Sequence, residues 1–345
     1  MNKTNKWLMP SYCRDFRCKA DRCRNTCCSS WRIPVSKAEY QRLITMNFSK
    51  ELDRRIQNAF VIPETVTDSC YRYVSFNWLG ECPIQDKGLC YLHREKGEEY
   101  LPKICRLYPR SCKQINGTLV MNCSSSCERV VEMLYESDSL DIIEVDSDME
   151  AQLCYEICEE DIRQLHLFQR IIQDRSTTLA YSIAEICRII NEEEFVKDYE
   201  SDEDPLKEAL ELLNRFSYDG SRLSRIGETV TDRYGKDPHL YVSDRERFEK
   251  DFPDWMTFFE RVINNSMIYE NFPFVDERSD RTVAYKGLCV CYGLMRVICI
   301  GYTAVHHSEE DLIDAVAALF HLIDHTAFYY NVGIIVDNAA ILLKL

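Results

Sequence analysis

Apolar positions recur at helical spacing over most of the chain and alternate only in short stretches. Between Pro34 and about Ala59, the residues Ala38, Leu43, Ile44, Phe48, Leu52 and Ile56 predict a helix, with Ser36 and Glu39 as its capping box. Residues 61–79 carry Val61, Ile62, Val66, Tyr71, Tyr73 and Phe76 and predict a short hairpin. Gly80 to His93 reads as a loop followed by a helix start, Cys105 as the end of a short helix, and Ser124, Ser125 or Ser126 as the cap of the next. From Asp161 the pattern is strongly helical: Ile162, Leu165, Leu167, Phe168, Ile171 and Ile172, then Leu179, Ile183, Ile186, Ile189 and Ile190. Further helices are predicted at Trp255–Tyr269 and Thr282–Val305, with a pair after Ser308.

Scarce glycine (11) and proline (10) agree with helices rather than turn-rich β architecture. The expectation is a mainly α protein. An N-terminal Cys-rich unit of irregular loops, over residues 10–130, packs on a larger helical domain over 131–345. Acidic linkers are expected near 136–161 and 192–211. No Lys or Arg occurs from Val130 to Asp161; this reads as a solvated face, or as a docking surface for a basic partner. A net charge of −15 argues against a general nucleic-acid partner. Met1 to Pro10 lacks the apolar core of a signal peptide, and no run of about eighteen apolar residues predicts a membrane span. A cytoplasmic location without membrane insertion is expected.

Eighteen cysteines change that picture, because fourteen precede residue 160. Cys187, Cys289, Cys291 and Cys299 sit in apolar, helix-like sequence and read as packing. The dense front half offers disulfides, a metal or cluster, or redox thiols, and a reducing compartment favours metal. Cys18, Cys23, Cys27 and Cys28 form one group of four thiols, and Cys82, Cys90, Cys105 and Cys127 another; either number suits tetrahedral zinc or an iron–sulfur cluster. Adjacent Cys27 and Cys28 cannot easily aim at one ion, so one site draws on both groups or two sites share the loops. Arg14, Arg17, Lys19, Arg22 and Arg24 lie among the first cysteines and favour thiolate. No Cys-x-x-Cys knuckle occurs, which leans toward iron–sulfur while leaving zinc open.

Other chemistries are poorly supported. There is no Gly-x-Gly phosphate loop and no Gly-x-Ser-x-Gly elbow. His321 and His325 share a helical face at i, i+4, either as metal ligands or as ordinary helix histidines, but the zincin glutamate is missing. Cys154 and Cys158 are expected on one face of a helix.

Taken together, several stretches resemble the flagellin lysine-N-methylase (FliB-type) family, itself similar to a zinc- or iron-chelating Cys-rich family. They are Pro10-Ser-Tyr12, Phe16-Arg-Cys18, Cys23-Arg-Asn-Thr-Cys27-Cys28-Ser-Ser-Trp31, Cys82-Pro83, Gly88-Leu-Cys90, Leu101-Pro-Lys-Ile-Cys105-Arg-Leu-Tyr108-Pro-Arg110 and Ser126-Cys127-Glu128. The similarity continues through Gln169–Arg175, Asn264–Phe274 and Leu312–His325. Glu128 departs from the proline the family carries after this cysteine. The resemblance implies methyl transfer from S-adenosylmethionine to lysine amines of flagellin or another surface protein, with a [4Fe–4S] cluster, zinc being the alternative. Its ligands would come from Cys18, Cys23, Cys27, Cys28, Cys82, Cys90, Cys105 and Cys127, four per site. A lysine amine must lose a proton before it attacks, so a base or a dry pocket is needed. Tyr108, Glu98 and Asp324 are candidate helpers, each with a structural role as its alternative. Arg106 and Arg110 could hold the donor's carboxylate or offset cluster charge. The competing class is a non-enzymatic metal-binding interaction or electron-transfer protein.

Overall fold

The periodicities resolve into a mainly α protein with small sheets, seen in a computed structural model that describes residues 5–24, 26–28, 33–77, 80–216, 221–273 and 280–345. Trp31 and Phe274 of the family-like motifs, and residues 78–79 at the end of the expected hairpin, lie outside the described residues. Contacts divide the chain into a smaller unit, Arg17–Tyr108, and a larger one joining Met1–Phe16 to Pro109–Leu345. Strand β1 (Asn5–Pro10) and helix α1 (Ser11–Asp15) open the larger unit.

The smaller unit contains β2 (Pro34–Val35), α2 (Lys37–Thr45), α3 (Lys50–Gln57), β3 (Phe60–Val61), β4 (Arg72–Val74), β5 (Gln85–Asp86), β6 (Leu89–Cys90), α4 (Tyr91–Lys96) and α5 (Lys103–Leu107). The capping box is present: Glu39 N–H donates to Ser36 Oγ at 3.3 Å and Ser36 N–H to Glu39 Oε2 at 2.8 Å. The single helix expected over 34–59 is two, because Ser49 caps a fresh start by accepting from Leu52 N–H. The expected hairpin is completed by a third strand, in the order β2-β4-β3. Leu43, Leu52, Ile56, Val74, Ile84 and Leu92 form the core of this unit.

The larger unit continues with β7 (Arg110–Ile115), β8 (Thr118–Cys123), α6 (Glu128–Glu136), β9 (Ile142–Ser147), β10 (Leu153–Tyr155), α7 (Glu159–Ile172), α8 (Leu179–Tyr199) and α9 (Pro205–Phe216). Then follow α10 (Arg222–Lys236), α11 (Leu240–Asp251), α12 (Trp255–Glu270), α13 (Ala284–His306), α14 (Glu309–His325) and α15 (Phe328–Ile335). Its sheet has the order β10-β7-β8-β1-β9, with β1 parallel to β8 and antiparallel to β9. Asn116 (φ 47°) and Gly117 (φ 81°) turn β7 into β8, the positive pair that a type I′ hairpin requires. The acidic stretches are less open than expected. Residues 142–155 supply β9 and β10, and Pro205 starts α9 five residues or so after α8 ends, roughly the length of an ordinary helix connection.

Helix α13 is the centre of this unit, apolar on every side and packed by α8, α10, α11, α14 and α15. Residues 281–306 are long and apolar enough to cross a membrane, which corrects the expectation that no such run exists. The same residues are mostly buried by neighbouring helices, because a central helix and a membrane span meet the same compositional demand. Gly293 allows a close approach: a Cβ there would lie 2.6 Å from Leu342 Cβ.

Candidate thiol cluster and active site

Four of the eight proposed thiols lie within electrostatic reach of one another in the smaller unit. Cys82 N–H donates to Cys28 O at 2.8 Å, tying the first cysteine loop to the second. Cys90 immediately precedes α4 and Cys105 lies within α5. Burial pushes the Cys82 thiol up to about 12, that of Cys90 up to about 11 and that of Cys105 upward, and in each the next cause is negative charge on Cys28. Cys28 itself is drawn down to about 7, chiefly by a hydrogen bond from Cys27. Thus Cys28, Cys82, Cys90 and Cys105 sense one another, with Cys27 beside them. Their number and softness fit a four-thiolate zinc or iron–sulfur centre, and a cation there would offset the burial that disfavours thiolate. Among the described residues, no three His, Cys, Asp or Glu side chains are drawn into a ligating group.

The remaining proposed ligands differ in exposure and position. Cys18 is exposed and its sulfur accepts Ala20 N–H at 3.3 Å, and Cys23 is half-buried. Cys127 belongs to the larger unit, at the head of α6, where it bears on Cys123. Cys154 lies in β10 and Cys158 just before α7, so they do not share a helical face. Cys187, Cys289, Cys291 and Cys299 are buried, as packing residues should be.

A second constellation lies inside the larger unit and joins β7, the β8–α6 turn, α12 and α14. Lys113 of β7 is buried and donates from Nζ to Tyr269 O and, at 3.2 Å, to Asn271 Oδ1. Asn271 takes the left-handed conformation (φ 56°) that ends α12, which turns its side chain amide oxygen toward the lysine. Tyr12 O–H donates to Asn265 Oδ1 at 2.6 Å, while Asn265 Nδ2 donates to Cys123 O at 2.9 Å and Ser125 Oγ at 3.0 Å. These bonds pin the Ser124–Ser126 turn to α12. From that turn Ser124 Oγ donates to Asp324 Oδ2 at 2.5 Å. The other oxygen, Asp324 Oδ1, is buried without a hydrogen-bond partner.

Three ionisable groups in this centre are displaced toward neutrality. Burial lowers Lys113 to about 8 against the pull of Glu270 and Asp324. Burial, then Asp324, raises Glu270 to about 8. Asp324 is raised to about 7 by burial, against hydrogen bonds from Ser124 and the backbone of Ser125 and Ser126. Two carboxyls and one ammonium therefore share protons close to pH 7, and the protons belong to the group rather than to one residue. Burial, then His321, lowers His325 to about 3, so its imidazole stays neutral.

Asp324 was among the sequence-derived helpers. Glu98 is exposed on a 3₁₀ turn and Tyr108 is half-buried at the end of α5, both in the smaller unit. Arg106 is exposed, whereas the Arg110 guanidinium lies 5.0 Å from the Phe16 ring. Lys113 and Glu270 escaped notice because neither stands in a motif, and Lys113 stands in a largely polar, only partly buried strand, so nothing local marks it.

The family model for the FliB lysine N-methylase C-terminal domain matches residues 112–333. Lysine-N-methylases of Salmonella typhimurium and Salmonella choleraesuis are each 24% identical to the chain over 139 residues, covering 39% of this chain. The match spans only 34% of the length of these relatives. No solved structure matches the chain. The matched family segment contains Lys113, Ser124, Ser126, Glu270, Asp324 and His325, and the chain belongs to the FliB lysine N-methylase C-terminal domain family.

Proposed function

We propose that this chain methylates lysine side-chain amines, with Asp324 in the Lys113–Glu270–Asp324 centre as the base. The observation that carries the reading is a cluster of two carboxyls and an ammonium that burial and mutual charge displace toward neutrality, inside the segment matched by a lysine-methylase family. A protonated lysine has no lone pair to attack with, and a base titrating near the working pH is suited to removing that proton. Asp324 takes it: the substrate N–H bond breaks and a carboxyl O–H forms. The amine nitrogen then bonds to the methyl carbon as the methyl–sulfur bond of the donor breaks and the sulfide departs. Glu270, held mostly protonated near pH 7, leaves the negative charge to Asp324, and Lys113 helps keep that one carboxyl ionised.

The donor we propose is S-adenosylmethionine and the substrate flagellin or a similar surface protein, modified in the cytoplasm; the resemblance of the N-terminal motifs supports both. Cys28, Cys82, Cys90 and Cys105 would hold a [4Fe–4S] cluster or zinc. When bound, that centre would fix the cysteine loops to one another; if only three of the four thiols ligated an iron cluster, its remaining iron would be open to the donor's amino and carboxylate groups. Full-length protein purified without oxygen and incubated with S-adenosylmethionine and flagellin should add methyl groups, read by intact mass and by the modified lysines. Asp324→Asn should lose the activity while keeping its fold. Absence of methylation by the metal-loaded wild type, or wild-type rates in Asp324→Asn, overturns the reading.

A further inference from the structure

A methyl transfer that leaves its proton on Asp324 must dispose of that proton before the next turnover. The structure has a continuous set of hydrogen-bonding side chains leading away from this carboxyl. Ser124 Oγ is 2.5 Å from Asp324 Oδ2, and Ser126 Oγ is 2.5 Å from Ser124 Oγ. His325 Nε2 is 2.9 Å from Ser126 Oγ, and the His321 ring lies 5.1 Å from the His325 ring along the same face of α14. Ser124 and Ser126 are buried, whereas His325 and His321 retain exposure. The serines do not cap α6: Cys127 holds the cap position and no side-chain cap bond is made. Their hydroxyls turn to α14 instead.

We propose that Ser124, Ser126 and His325 form a proton relay that carries the substrate's proton from Asp324 out toward His321. It rests on the methyl-transfer reading above. With Asp324 protonated, its O–H gives a proton to Ser124 Oγ, Ser124 passes its own to Ser126 Oγ, and Ser126 passes its own to His325 Nε2. The proton on His325 Nδ1 leaves on the outer side. One proton enters and one departs. The shift leaves each hydroxyl donating toward the carboxylate, which is how Ser124 stands in the resting protein. A histidine that burial keeps neutral fits this part, since it hands over a proton by changing tautomer.

The groups facing Asp324 are Lys113 from β7, Tyr269 and Glu270 from α12, Cys291 from α13 and Tyr329 from α15; His321 faces His325. None of these is altered in the test. Ser126→Ala and His325→Gln are compared with wild type in single-turnover and multiple-turnover lysine methylation with S-adenosylmethionine. Gln in place of His325 can keep a hydrogen bond to Ser126 but cannot change tautomer, which guards against a folding defect. Single turnover starting above pH 8 should be unchanged, because Asp324 begins ionised. Multiple turnover should fall about a hundredfold, and added imidazole should restore it in His325→Gln, as should threonine in place of Ser126. Turnover equal to wild type in both variants, or a defect that imidazole does not relieve, overturns the relay. Wild-type activity in Asp324→Asn instead refutes the base assignment beneath it.

Discussion

Replacing Asp324 by Asn separates the catalytic cost of this centre from its cost to stability. The carboxyl titrates at 3.8 when free and at about 7 in the fold, raised by burial against the bonds from Ser124, Ser125 and Ser126. Its neutral form is thus favoured in the native state. The stability this supplies is complete below pH 3.8 and is lost as pH rises through 7. The displacement is roughly 3 units, and at about 1.4 kcal/mol per unit the ceiling is about 4 kcal/mol. Sharing of protons with Glu270 and Lys113 reduces that to roughly 2 kcal/mol. Asn cannot ionise and carries no such loss. Asp324→Asn should therefore match wild type near pH 4 and exceed it by roughly 2 kcal/mol at pH 8, read from urea unfolding at the two pH values. Its methylation rate should fall by roughly a hundred- to ten-thousandfold. A variant less stable than wild type at pH 8, or a stability difference independent of pH, would refute the argument that this carboxylate is held at a cost.

Substituting Ser for any one of Cys28, Cys82, Cys90 or Cys105 should remove most iron or zinc from anaerobically purified protein, while Cys18→Ser retains it; metal analysis by mass spectrometry decides. Gly293→Ala should cost about 1–3 kcal/mol in thermal unfolding, because its Cβ would sit 2.6 Å from Leu342 Cβ. Arg261 is buried and donates from Nε to Leu134 O at 2.7 Å and from Nη2 to Tyr135 O at 3.3 Å, closing the end of α6. Arg261→Met should therefore destabilise the protein by about 1–3 kcal/mol, and native-state hydrogen exchange should show the last turn of α6 opening first.

Helices with long apolar stripes were legible because the pattern is local: α7, α12, α13 and α14 fall within a few residues of their expected limits. The β7–β8 hairpin is signalled by Asn116-Gly117 alone, because neither flanking strand alternates cleanly between buried and exposed positions. The serines at 124–126 were read as a helix cap, the usual work of serine before an acidic first turn. Tertiary packing drew them to Asp324 instead. His321 and His325 were rightly paired on one face of α14, but only the fold shows that His325 looks toward Ser126.

Composition and periodicity were enough to determine a mainly helical chain and a cysteine-dense front half, while the lysine-methylase family was legible only as a resemblance of particular motifs. Each of those depends on residues near one another in sequence or on totals. Tertiary structure alone brings Cys28 within electrostatic reach of Cys82, Cys90 and Cys105, and brings Lys113, Glu270 and Asp324 within reach of one another. The reason is that an acid or a base gains its working proton affinity from the solvent it loses and the charges it meets, and both are set by segments far apart along the chain.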